Sequence, residues 1–117
     1  MSDFNKVILM GNLTKDPELR FTSDGKAIGK LRLAVNRKWK DKDGEKQNET
    51  SFFNITSFGK SAEIVSQYVE KGSPLLIDGR LRSYSYESEG GEKKYGTEVV
   101  MDTFQFLPQG AKAAESA

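Results

Sequence analysis

The chain has 117 residues, 36% hydrophobic and 30% charged, with a formal net charge of +1, which fits one small soluble domain rather than a uniformly basic or acidic binder. Cysteine and histidine are both absent, which excludes disulfides, Cys/His zinc sites, thiol nucleophiles and histidine general bases. No apolar run approaches the roughly 20 residues needed to span a bilayer, and the opening MSDFNKVILMGN has no secretory pattern, so no processing is expected.

In chain order, Phe4–Leu13 is a mostly apolar strand ended by the turn-prone Thr14-Lys15-Asp16-Pro17. A short extended piece, Glu18–Thr22, reaches Asp24-Gly25, where a hairpin turn is expected. In AIGKLRLAVN, Leu31, Leu33 and Val35 alternate with Lys30, Arg32 and Asn36, as in a half-buried strand with a basic outer face. WKDKDGEKQNE reads as a long hydrophilic hairpin loop with Asp43-Gly44 at its tip. TSFFNITSF alternates again, Phe53 and Ile55 lying opposite Phe52, Asn54, Thr56 and Phe58.

Lys60–Lys71 predicts a helix, with Ala62, Val65 and Val69 on one face and Gly72 as its stop. Pro74–Tyr86 predicts a long strand in which Leu75, Ile77, Gly79 and Leu81 alternate with Asp78, Arg80, Arg82, Tyr84 and Tyr86. The Gly-rich ESEGGEKK leads to a last strand, Gly96–Leu107. Residues 1–107 are therefore expected to form one domain and 108–117 a disordered tail, by composition. An all-β chain with one helix after the third long strand predicts a five-stranded Greek-key OB-fold barrel, a fold that hosts several functions.

Function is read from the cations and the rings. Lys30, Arg32, Arg37, Lys38, Lys40 and Lys42 fall within thirteen residues against one acid, Asp41. Trp39 stands between Lys38 and Lys40, an odd setting for a core tryptophan. Phe52 and Phe58 share a strand face with Asn54 and Thr56, and Tyr84 and Tyr86 share one with Arg80 and Arg82. Rings interleaved with cations on the open side of a barrel suit unpaired bases, which stack on any flat ring while lysine and arginine meet the phosphates. Against this, Phe58 also suits a plug at the barrel end, and Tyr84 and Tyr86 suit ordinary cross-strand pairs. Tyr68 and Phe21 are expected to pack, and Phe104 and Phe106 to cover the barrel or an interface. The scattered carboxylates read as solvated surface, so neither catalysis, metal nor cofactor is expected. Two alternatives stay open: an OB-fold assembly factor that mainly contacts proteins, and a small nuclease.

The stretches NKVILMGNLTKDPELR, AIGKLRLAVNRKW, TSFFNITSFGKSAEIVSQYVEKGSPLLIDGRLR and TEVVMD, in that order over residues 3–107, resemble the bacterial-type single-stranded DNA-binding proteins. The resemblance implies base stacking at Trp39, Phe52, Phe58 and Tyr86 and phosphate contacts at Lys6, Arg37, Lys42, Lys60, Lys71 and Arg82. It further implies a homotetramer that pairs first strands, coating of DNA during replication, recombination and repair, and a place on the nucleoid in a bacterial cytoplasm. Departures are visible. The family often has tryptophan at the positions of Phe52 and Tyr86, and many members have histidine at that of Phe53. Members usually end in an acidic tip that recruits replication and repair enzymes; AKAAESA carries none, so either the sequence stops short of that tip or partners are not recruited by that route.

Overall fold

Alternation in the long strands decides which residues meet inside. In the computed structural model, which describes residues 3–108, the strands are β1 (Val7–Leu13), β2 (Glu18–Phe21), β3 (Ala27–Lys40), β4 (Lys46–Phe58), β5 (Pro74–Glu87) and β6 (Lys93–Phe106), with helix α1 (Lys60–Tyr68) between β4 and β5. The sheet order is β1-β5-β6-β4-β3-β2, and β1 returns to β3 through Asn12 opposite Ala34 and Leu13 opposite Leu33. The five long strands thus close a barrel, as expected for the OB arrangement, while short β2 extends the sheet beyond β3. β4 and β6 run parallel, with Ile55 beside Val99 and Thr56 beside Val100; the other pairings are antiparallel.

The core gathers Leu13, Leu31, Leu33, Ile55, Leu75, Ile77, Val99 and Met101 from the strands with Val65 and Val69 from the helix segment. Removing such side chains from water is worth about 1.5–3 kcal/mol each. Leu81, expected to point inward with Leu75 and Ile77, is largely exposed. It lies past the irregularity at Asp78/Gly79, on the part of β5 that projects beyond the core.

The hydrophilic stretch expected as a loop over Trp39–Glu49 is mostly paired strand. Pairing runs unbroken from Ile28↔Phe58 to Lys40↔Lys46, leaving only residues 41–45 as the turn. It reads as loop because both faces of the hairpin are solvated there, which removes the period-two signal while the two strands stay paired. Gly44, at φ 79°, supplies the left-handed residue of the turn. ESEGGEKK behaves alike: β6 begins at Lys93, and the first strand, expected from Phe4, begins at Val7.

Helix α1 ends at Tyr68, three residues short of the expected Lys71, because the next residues are claimed elsewhere. The Lys71 N–H donates to Asp16 Oδ1 at 2.8 Å, the Gly72 N–H to the Leu13 carbonyl at 2.8 Å, and the Glu70 N–H to Ser73 Oγ at 3.0 Å. Tyr68 and Phe21, expected to pack, are 66% and 58% exposed. Tyr68 meets Phe106 edge-on at 5.9 Å, and Phe104 packs against the core. Of the tail expected over 108–117, residues 109–117 lie outside the described residues.

Candidate nucleic-acid interface

Register alone carries one polar face across four strands. On β4 the outward residues are Phe52, Asn54, Thr56 and Phe58, directly opposite Ala34, Arg32, Lys30 and Ile28 of β3. Through β6 this face continues to β5, where Arg82 is opposite Glu98, Tyr84 opposite Gly96 and Tyr86 opposite Lys94. Directly opposed residues share a face, so Phe52, Phe58, Arg82, Tyr84 and Tyr86 stand on one side of the sheet.

Cations sit on the rings. The Arg32 guanidinium lies 4.8 Å from the centre of Phe52, and that of Arg82 lies 5.6 Å from the centre of Phe58. At exposed sites such pairs are worth about 0.5–1 kcal/mol, enough to orient a side chain. Tyr84 and Tyr86 stack with centroids 6.1 Å apart. Tyr84 lies across Gly96, where any side chain would overlap its ring, so the missing Cβ is what lets the tyrosine lie down on β6. A cleft of about 520 Å³ opens between these strands, lined by Lys30, Asn54, Thr56, Arg82, Tyr84 and Glu98 among others.

Under the face lies a nearly buried carboxylate. Glu98 Oε1 accepts from Arg82 Nε at 3.0 Å and from Arg82 Nη2; Oε2 accepts from the Thr56 hydroxyl at 2.7 Å and faces Lys30 Nζ at 3.8 Å. Lys30 Nζ also donates to Thr56 Oγ1 at 3.1 Å. Burial raises the Glu98 pKa, but the bonds from Thr56 and Arg82 and the charges of Arg82 and Lys30 outweigh it and hold the group below the usual carboxylate range. This network also explains why Thr56, on the outward face, is buried.

Trp39 departs from the expectation of one shared open side. With no register shift in the β3–β4 ladder, strict alternation puts Arg37 and Trp39 on the face opposite Phe52. There the Arg37 guanidinium sits 4.8 Å from the centre of the indole. The tip is fixed by Asp41, whose Oδ1 accepts the N–H groups of Asp43 and Glu45, both at 2.9 Å, and whose Oδ2 accepts Gln47 Nε2 at 3.0 Å. Those bonds, led by the one from Glu45, lower the Asp41 pKa. The turn therefore holds its carboxylate bonds from neutral pH downward and loses them as pH falls through that lowered value.

All four expected stacking rings reach solvent: Trp39 is 36% exposed, Phe52 52%, Phe58 43% and Tyr86 53%. Of the expected phosphate contacts, Arg82 adjoins Phe58 and Arg37 adjoins Trp39. Lys42 is in the hairpin turn, and Lys60 opens α1 two residues after Phe58; both are exposed. Lys6 instead pairs with Asp78 of β5 at 3.0 Å, and Lys71 lies beyond the helix. Sequence reasoning did not single out Glu98, Asn54, or Lys30 and Arg32 as individual site residues. The alternation that placed Lys30 and Arg32 outward was the available signal, whereas Glu98 needs the β5–β6 register. Nor did it single out Tyr95, which stands opposite Ser85 and is thus on the reverse side of the β5–β6 hairpin from Tyr86, with Lys93 Nζ 5.7 Å from its ring centre. Among the described residues no three His, Cys, Asp or Glu side chains are grouped to hold a metal ion, and no helix is long and apolar enough to cross a membrane.

Residues 4–107 match the family model described as the Single-strand binding protein family. The chain belongs to that family. It is 43% identical over 104 residues to a single-stranded DNA-binding protein of Wolinella succinogenes, covering 89% of this chain and 64% of the relative. It is 47% identical over 103 residues to single-stranded DNA-binding protein 2 of Staphylococcus aureus, covering 88% and 72%. The chain thus spans about two thirds of the length of these family members. Among solved structures, a deletion variant of the Thermus aquaticus single-stranded DNA binding protein superposes with a TM-score of 0.80 at 30% identity, over 90% of this chain and 51% of that one. The Plasmodium falciparum SSB in complex with ssDNA gives 0.85 at 21% identity, over 92% and 98%, a likeness of fold.

Proposed function

We propose that the chain binds single-stranded DNA with little sequence preference, coating and protecting it during replication, recombination and repair. The observation that carries this reading is the outward face of β3, β4, β6 and β5, where Phe52, Phe58 and Tyr86 are exposed among Arg32, Arg82 and Lys30. Family membership and the names of the relatives support it. Bases stack on Phe52, Phe58 and Tyr86, and the strand passes around the β3–β4 hairpin to reach Trp39 on the reverse side. Arg37 and Lys42 accompany it there, while Lys60, Lys71, Lys6 and Arg82 follow the backbone elsewhere. Duplex DNA hides the base faces that such rings need, so the platform selects unpaired strands. Binding is an equilibrium in which no bond is broken, and the protein is not an enzyme.

The working form is a homotetramer in the bacterial cytoplasm, gathered on the nucleoid. Ile8 and Met10 point outward from β1 and are exposed, and β1 is strand-paired with β3 at Asn12 and Leu13, at its C-terminal end. A second copy pairing along the first strand would cover both the apolar residues and the open edge. Replication and repair proteins are the further partners of this reading.

Trp39 provides the test. Titrating oligo-dT is expected to quench its fluorescence, added salt to restore it, and duplex of equal length to leave it largely unchanged. Equal responses to duplex and single strand would overturn the reading, and no response to either would remove Trp39 from the path of the strand.

A further inference from the structure

We propose that Glu98 is a built-in counter-ion of the platform: in the free protein its carboxylate occupies on Arg82 and Lys30 the place a DNA phosphate takes on binding, so these two cations add affinity without adding salt sensitivity. It deepens the single-strand reading of this face and rests on it.

The layering carries the inference. Glu98 has a side chain only 10% exposed, whereas those of Arg82 and Lys30 above it are 47% and 48% exposed. The anion therefore lies beneath two cations that both reach solvent, and a strand crossing the face meets the cations and not the carboxylate. Arg82 spends Nε and Nη2 on a single oxygen of Glu98, which leaves Nη1 uncommitted to that carboxylate. Thr56 holds the other oxygen, so Glu98 stays in place if one of its cations turns outward.

Polyelectrolyte theory gives the consequence. A solvated lysine or arginine that neutralises a phosphate of a single strand releases condensed ions and contributes about −0.7 to the slope of log K against log salt. A cation already neutralised by a protein carboxylate exchanges one anion for another. The carboxylate left short of charge takes up a cation such as the DNA gives off, and the net release is near zero. Arg82 and Lys30 would thus hold DNA at salt concentrations that weaken contacts made by ordinary surface lysines.

The slope is measured with oligo-dT for the wild type, Glu98→Gln and Arg82→Gln, with thermal melting to verify folding. Glu98→Gln turns both cations into ordinary solvated charges; tighter binding at low salt and a slope steeper by about 0.7–1.4 are expected. An unchanged or shallower slope in a folded Glu98→Gln protein overturns the assignment. Arg82→Gln changes an exposed side chain and keeps the carboxylate, so it decides the matter if the buried substitution unfolds the barrel. Weaker binding with an unaltered slope is expected, and a slope reduced by about 0.7, as for a free cation, overturns it. A wild type that does not bind oligo-dT at low salt removes the single-strand reading itself and this assignment with it, whereas wild-type binding with contrary slopes removes only the assignment.

Discussion

Replacing Phe52 and Phe58 together by alanine is expected to weaken binding of a dT oligomer by about 2–6 kcal/mol, from roughly 30-fold to beyond 10,000-fold, with melting temperature little changed. Each ring contributes about 1–3 kcal/mol when it stacks a base. Both stand on β4 facing outward, and both are exposed. Neither belongs to the core cluster, so truncation leaves no internal cavity and the barrel keeps its packing. The cations above them lose a partner as well: Arg32 lies over Phe52 and Arg82 over Phe58. Some of the loss therefore reflects the Arg32 guanidinium no longer holding one orientation, whereas Arg82 stays fixed by Glu98. Isothermal titration at fixed salt gives the affinity, and circular dichroism on the same sample reports the fold. A loss under 1 kcal/mol in a folded double variant would mean that the rings only decorate the sheet.

Leu33→Ala is expected to act in the opposite sense, costing about 2–5 kcal/mol of stability. Leu33 is fully buried and sits where β3 meets both β1 and β4, opposite Leu13 on one side and Phe53 on the other. A cavity there loosens the closure of the barrel beneath Arg32 and Ala34, the β3 neighbours of the outward face. Small domains are held by only about 5–15 kcal/mol, so a large share of the total is at stake. Denaturant melts of the variant are expected to show a lower midpoint with little change in slope. Affinity at a temperature where the variant stays folded is expected to remain within a few-fold of wild type. A stability change below about 1 kcal/mol would contradict the assigned place of Leu33 at the centre of the barrel.

The barrel was legible because its strands are half-buried. Leu31, Leu33, Ile55, Leu75 and Ile77 recur every second residue and are all buried, and that period does not depend on knowing which strand pairs with which. The same logic failed where burial stops. Around Trp39 every neighbour from Asn36 to Lys40 is exposed, so composition matched a loop and offered nothing to tell one face from the other. Only the continuous β3–β4 register reveals that Trp39 and Phe52 look in opposite directions. The end of α1 was hidden for another reason: it is set by Asp16, 55 residues earlier, taking the Lys71 N–H. Glu98 lay hidden likewise, since its meeting with Arg82 and Thr56 comes from two separate strand pairings. Phe52, Phe58 and Tyr86 could be picked out because a large ring on a polar strand face contradicts its surroundings. The cations that accompany them could be counted but not assigned to rings, because long side chains choose partners across strands.

The most direct measurement is ultraviolet crosslinking of oligo-dT to the intact protein, with the modified peptides identified by mass spectrometry. Crosslinks are expected on the peptides that carry Phe52, Phe58, Tyr84 and Tyr86, with a further site at Trp39. Crosslinks gathered instead on the exterior of β1, around Ile8 and Met10, with the β4 and β5 peptides unmodified, would contradict the placement of unpaired DNA on this face.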